Sequence, residues 1–116
     1  MKLMLDHTQR LNLHALLGAQ RVDVGSIRAI WAIQDCIALD ADEEAAIELK
    51  HELVGGQDRA VWNPTRSLSV REFEFSDSDV ARMKAAIQTW DSYSVNADRR
   101  WLQPLLRELF STEPQQ

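Results

Sequence analysis

The chain has 116 residues, a net charge of −5 and a composition that is 45% hydrophobic and 27% charged, which is typical of folded globular proteins and excludes the disordered class. The negative charge argues against broad binding to phosphate backbones and favours a basic or neutral partner. Cys36 is the single cysteine, which excludes an internal disulfide. With no apolar run near the ~20 residues that cross a bilayer, and an apolar start too short for a signal peptide, we expect a cytoplasmic protein without a membrane partner.

The first third of the chain has helical spacing. Leu13, Leu16 and Leu17 precede Gly18, which predicts a first helix and its end. Residues 23–39 predict a second helix, which either Asp23 or Ser26 can cap. Its apolar stripe is wide enough to indicate burial on more than one side: Ile27, Ile30, Trp31, Ile33, Cys36 and Ile37. We therefore expect Cys36 to be buried and inert.

The middle of the chain changes from helical to strand spacing. Asp40 and Glu43 have capping-box spacing, which predicts a short helix over about 41 to 46. Residues 47–53 then alternate apolar with charged side chains, which predicts a strand. GGQD at 55–58 predicts a turn and RAVWN at 59–63 a return strand, ended by Pro64. A third strand is predicted over 67–75, with a bulge or bend near Arg71.

Four carboxylates lie close together after this third strand begins: Glu72, Glu74, Asp77 and Asp79. The glutamates alternate with Phe73 and Phe75, so strand geometry directs the acids to solvent and the rings to a core. Ser76 suits a helix N-cap, and the helix dipole stabilises acids in the first turn by ~0.3–1 kcal/mol each. We interpret these acids as structural, in preference to a metal or catalytic site.

The last third returns to helical spacing. One stripe comprises Val80, Met83, Ile87 and Trp90, and a second comprises Trp101, Leu102, Leu105, Leu106 and Leu109. Pro104 either starts the last helix or kinks it. We predict a single compact α+β domain over 1–116, with a frayed tail over 110–116. Two N-terminal and two C-terminal helices are expected around a small antiparallel sheet of two or three strands.

No residue is assigned a catalytic, cofactor-binding or metal-binding role. The three histidines are too widely spaced for a zinc site, and no nucleophile or phosphate-binding motif is present. Trp31, Trp90 and Trp101 are expected in the core. The candidates for a protein interface are the acids Asp42, Glu43 and Glu44 together with Trp62 and Arg66, because dense charge and Trp–Arg pairs are common in binding surfaces. A second copy could cover Trp62 or the C-terminal stripe, so a homodimer is also an alternative.

Several stretches together resemble small proteins of similar length encoded in phage and prophage genomes: LNLHALLGAQRVDVGSIRAIWAIQDCIAL, VWNP, VREFEFSDSDVARMKAAIQTWD and DRRWLQPLLREL. The resemblance implies a small accessory protein and carries over no catalytic residue. We therefore expect a non-enzymatic protein-interaction module, such as an adaptor, inhibitor or assembly factor. The alternatives are a nucleic-acid-associated regulator that uses the first two helices and Arg28, and a small enzyme that uses the four carboxylates at 72–79.

Overall fold

The structure, a computed structural model, describes residues 1–66 and 68–110, apart from the side chains of residues 54, 57 and 58. The elements in these residues follow in the order β1 (Lys2–Leu5), α1 (His7–Gly18), α2 (Val24–Ile37), α3 (Ala41–Ala46), β2 (Lys50–Val54), β3 (Gln57–Val61), β4 (Arg71–Glu74), α4 (Asp77–Thr89) and α5 (Arg99–Phe110). The α+β class is confirmed. The prediction of one sheet is wrong, because the strands form two separate antiparallel pairs, β1–β4 and β2–β3.

The β1–β4 sheet supplies one side of the core. The sequence pattern does not reveal β1, because four residues are too short to establish a period and their partner lies about seventy residues away. Leu3 pairs with Phe73, and the Phe75 N–H donates to the Met1 carbonyl at 2.8 Å. Leu3 and Leu5 face the core while Lys2 and Met4 face solvent. Strand pairing at long range therefore converts this segment into the first element of the core.

The third predicted strand is shorter than expected. β4 begins at Arg71, so the change of phase near that residue is the start of the strand and not a bulge within it. Phe73 and Phe75 are buried and the two glutamates are exposed, which confirms the alternation. Ser76 then caps α4 by accepting a hydrogen bond from the Asp79 N–H, as predicted. Residue 67 lies outside the described residues.

Helix α1 packs against α2, α4 and α5 and lies at the centre of the helical layer. Asp6 and Gln9 form a capping box at its start. Asp23 caps α2, and Asp40 and Glu43 form the predicted capping box of α3 over the predicted residues. Local capping therefore defines where these helices begin, and the buried faces decide how they pack.

Helix α2 is buried on one face only, which corrects the predicted wide stripe. Ile30, Ile33 and Ile37 are buried, whereas Trp31 is 54% exposed and Cys36 is exposed. Each residue advances about 100° around a helix, so Trp31 cannot share a narrow face with Ile30 and Ile33. The prediction that Trp31 lies in the core is therefore wrong, and so is the prediction that Cys36 is buried.

The C-terminal stripes are largely confirmed. Trp101, Leu105 and Leu109 are buried on one face of α5. Pro104 lies inside that helix and not at its start. Trp90 is 36% exposed, because α4 ends at Thr89 and Trp90 leaves the helix with extended backbone angles, so its predicted place in the core is wrong. The predicted frayed tail lies outside the described residues from 111 onward.

The β2–β3 hairpin turns through Gly55 and Gly56, whose φ angles of 60° and 81° require glycine-like freedom. The strand starts at Lys50, later than predicted, because Ile47 caps α3 and Glu48 has a φ of 57°. Leu53 is 80% exposed, so the predicted apolar face of the first hairpin strand is uncovered at its end, whereas Ile47 at its start is buried. No helix in the described part of the chain is both long enough and apolar enough to span a membrane.

Candidate functional site

The first turn of α1 holds a buried arginine that joins three helices. Arg10 is 1% exposed, and its Nε donates to the Ile37 carbonyl at 2.9 Å. One terminal nitrogen donates to the Ala38 carbonyl at 2.9 Å, and both contact the Glu43 carboxylate at 2.6 and 2.9 Å. Arg10 therefore satisfies carbonyls at the end of α2 and fixes α3 beside α1.

Glu43 faces inward to this arginine. The hydrogen bond from Arg10 lowers the pKa of Glu43 from its usual 4.5 to about 2, with a smaller contribution from the Arg71 guanidinium at 3.7 Å. Phe73 lies beneath both guanidinium groups, with each Cζ 5.3 Å from its ring centroid. Glu43 thus has a role within the fold, and an additional role at an interface stays a prediction.

A cleft opens beside this ion pair. It encloses about 200 Å³ and is lined by Arg10, Leu11, His14, Ile37, Ala38, Leu39, Glu44, Leu49 and His51. We call it the α1–α3 cleft. Its walls come from α1, the end of α2, α3 and the start of β2, and most of the lining side chains are apolar. Because four elements converge there, the fold itself shapes this depression.

One of the predicted interface acids, Glu44, lines this cleft. Asp42 and Glu44 are exposed on α3, and Glu44 is part of the cleft wall. Neither carboxylate forms an ion pair with a basic side chain in residues 1–66 and 68–110. Asp40 and Glu48 add exposed acids at the two ends of the same short helix. We call Asp40, Asp42, Glu44 and Glu48 the acidic rim.

Trp62 and Arg66 lie on a neighbouring surface. The Trp62 ring meets His7 edge to face, with centroids 5.8 Å apart, and is half-buried. It lines a second depression of about 300 Å³ with Glu48, Lys50, Val61 and Asn63. Arg66 is exposed, and its backbone N–H donates to the Asn63 carbonyl at 3.1 Å. Through its contact with His7, Trp62 therefore attaches the hairpin to α1.

The other clusters of polar residues form no metal site within the described part of the chain. The carboxylates at 72–79 occupy the strand and first-turn positions expected for them. No group of three histidine, cysteine or acidic residues in the described chain has the geometry to hold a metal ion. His14 and His51 line the α1–α3 cleft, while His7 contacts Trp62.

Neither Arg10 nor the apolar residues of the cleft are among the site residues predicted from the sequence. Arg10, Leu13 and Leu17 lie at helical spacing of three and four, so the spacing itself places Arg10 on the buried face of α1. This spacing was the one sequence pattern that could have predicted a buried Arg10. Nothing local links Leu11 to Leu39 or Leu49, because their proximity depends on the packing of separate elements.

The chain matches no protein-family model, no curated protein sequence and no solved structure.

Proposed function

We propose that this chain is a non-enzymatic protein-interaction module, such as an adaptor, inhibitor or assembly factor. Its α1–α3 cleft would receive one apolar side chain from a basic segment of the partner protein. The observation that carries this proposal is the position of Glu44, an unneutralised carboxylate on the wall of an apolar cleft.

The size of the cleft favours a side chain as its occupant. Small-molecule and cofactor pockets usually enclose about 300–1,000 Å³, whereas this cleft encloses about 200 Å³. Half-buried Leu11, Leu39 and Leu49 supply apolar contact area within it. Burial of a single leucine or phenylalanine side chain contributes roughly 1.5–3 kcal/mol, which suits an anchor residue at an interface.

Charge favours a basic segment around that anchor. The acidic rim presents four exposed carboxylates, and Arg10 in the cleft floor is already neutralised by Glu43. The field at the cleft mouth is therefore negative near α3, which accelerates encounter with lysine and arginine side chains and discriminates against acidic partners. Such attraction weakens as salt screens it.

The cleft is also held in shape before any partner binds. Arg10 ties the end of α2 to α3 through the Ile37 and Ala38 carbonyls and the Glu43 carboxylate. Both elements contribute walls of the cleft. A pre-formed site lowers the entropic cost of binding, because fewer side chains must be ordered when the partner arrives.

The proposal is tested with short synthetic peptides labelled with a fluorophore. In the first peptide lysines flank one leucine, in the second alanine replaces the leucine, and in the third glutamates replace the lysines. We expect anisotropy to report binding of the first peptide only, with weaker binding as salt is raised. Glu44→Lys and Ala38→Trp should each reduce that binding, by reversing the rim charge and by filling the cleft.

The matched controls are Asp91→Lys, which reverses a charge, and Ala85→Trp, which adds the same ring, both at exposed positions away from the cleft. Both should bind the leucine peptide as the unmodified chain does. Equal binding of all three peptides, or unchanged binding by Glu44→Lys and Ala38→Trp, would show that the cleft is not the binding surface.

A further inference from the structure

The outer face of α2 is an uncovered helical surface that the packing of the chain does not explain. Val24 is 77% exposed and Trp31 54% exposed, and Arg28, Ala32 and Asp35 are exposed with them. These five residues lie opposite the buried face of Ile30, Ile33 and Ile37. We call them the α2 outer face. A tryptophan that is more than half exposed is unusual unless something else covers it.

The charges on this face have no partner among the residues that the structure describes. The side chains of Arg28 and Asp35 make neither a hydrogen bond nor an ion pair with any residue in the described part of the structure. They are seven residues apart, which is two helical turns, so each lies on the same side of the helix but beyond the reach of the other. Opposite charges thus flank Trp31 and Ala32.

The arrangement is complementary to itself. Arg28 and Asp35 lie three and a half residues to either side of the midpoint between Trp31 and Ala32. If a twofold axis passes through that midpoint, an antiparallel second copy of α2 places each Arg28 opposite Asp35 of the other copy. Trp31 and Ala32 lie on opposite sides of the line through Arg28 and Asp35, so the same operation places the two Trp31 rings next to each other on one side of the interface and the two Ala32 side chains on the other.

We propose that the α2 outer face is a homodimer interface in which two copies of α2 pack antiparallel about this axis. Two Arg28–Asp35 ion pairs lie on either side of the axis along the helices, and the two Trp31 rings pack against each other beside it. A parallel arrangement would bring like charges together, so the charge pattern selects the antiparallel one. The helix has 14 residues, which limits the area of contact and implies a dimer that dissociates on dilution.

This interface is separate from the proposed peptide site. None of the five residues lines the α1–α3 cleft. A twofold dimer carries two copies of the cleft, so a partner with two basic segments would gain avidity without any new contact. Failure of dimerisation would leave the peptide-binding proposal untouched, and the reverse also holds.

Sedimentation velocity of the full chain over a wide range of concentration tests the interface. We expect reversible dimerisation of the unmodified chain. Trp31→Ala should weaken it by roughly thirtyfold or more, as for a central aromatic residue at an interface. Arg28→Asp and Asp35→Arg should each weaken self-association by about tenfold or more, because each homodimer then contains two like-charge contacts.

Mixing the two charge variants tests directly whether Arg28 pairs with Asp35 of the other copy. When Arg28→Asp is mixed with Asp35→Arg, both contacts in the heterodimer again join opposite charges, so the mixture should dimerise where each variant alone does not. Arg100→Asp, which reverses an exposed charge on α5, should dimerise normally. Circular dichroism tests whether each variant is folded. If a charge-reversal variant is not, the milder variants Arg28→Gln and Asp35→Asn take its place, and we expect them to weaken dimerisation to a smaller extent. A chain that stays monomeric at millimolar concentration, charge variants that dimerise unchanged, or a mixture that fails to associate would each overturn the proposal.

Discussion

At the scale of single residues, the contact between Arg10 and Glu43 joins α1 to α3. A buried ion pair adds little stability over a well-packed apolar pair, but removing one partner leaves the other charge without compensation. Here the arginine also satisfies two backbone carbonyls at the end of α2. The pair therefore specifies where α3 lies, and with it the position of the acidic rim.

The depressed pKa of Glu43 predicts a pH-dependent stability. Because its pKa falls from 4.5 in the unfolded chain to about 2 in the folded state, the folded state binds the proton less readily. The stabilising contribution is therefore complete above pH 4.5 and is lost as the pH falls towards 2. Glu43→Gln should remove this part of the pH dependence and lower stability at neutral pH, as measured by urea unfolding at a series of pH values.

Glu44→Gln is the control for this prediction, because it makes the same change at the adjacent, exposed position. It should retain the acid dependence of the unmodified chain. If Glu43→Gln and Glu44→Gln have the same unfolding profile across the acid range, the Arg10–Glu43 pair does not stabilise the fold in the way described.

At the scale of elements, α5 forms despite a proline in its interior. Pro104 has no N–H to donate to the carbonyl four residues earlier, and its ring crowds that turn. The helix persists because Trp101, Leu105 and Leu109 bury one face against the core. The indole N–H of Trp101 also donates to Asp98 at 2.9 Å, just before the helix starts. Tertiary burial thus outweighs a local penalty.

Replacing this proline should stabilise the protein. Pro104→Ala restores one backbone hydrogen bond and improves helix propensity, so we expect the free energy of unfolding to rise by on the order of 1–3 kcal/mol. Chemical denaturation measures the change. Arg107→Ala, at another exposed position of α5, should alter stability by less than about 0.5 kcal/mol. A destabilised Pro104→Ala variant would mean that packing of the proline ring matters more than the missing bond.

At the scale of the whole molecule, the buried core and the hairpin are distinct. The core draws on β1, α1, α2, β4, α4 and α5 together with Phe75, and no described residue between Ile47 and Phe73 is buried. The β2–β3 hairpin is attached through Trp62 on His7 and through the Asn63 N–H on the Ile47 carbonyl at 2.9 Å. These few contacts hold it beside the α1–α3 cleft.

Unequal burial predicts unequal protection of backbone amides. In native-state hydrogen exchange, the amides of β2 and β3 should open with free energies at least about 2 kcal/mol below those of α1 and β4, because local opening of the hairpin exposes little apolar surface. Residue-resolved exchange followed by NMR makes the comparison within one sample. Equal opening free energies in the hairpin and the core would show that the two unfold as one unit.

The sequence by itself determined the features that depend on residues close together in the chain. The capping box at Asp40, the cap at Ser76 and the alternation of Phe73 and Phe75 with glutamates each involve neighbours within about three positions. Backbone geometry links such residues directly, so their spacing predicts the local structure. The α+β class and the short helix α3 follow from the same local information.

Only the tertiary structure decided which surfaces are covered. The pairing of β1 with β4 and the contact of Arg10 with Glu43 join segments that are distant in sequence. The exposure of Trp31 and Cys36 depends in the same way on where the other elements pack. An apolar residue on a helix has the same local preference whether or not another element packs against it, because burial is a property of the partner. The cleft and the α2 outer face, on which both proposals rest, therefore become visible only when the elements are assembled.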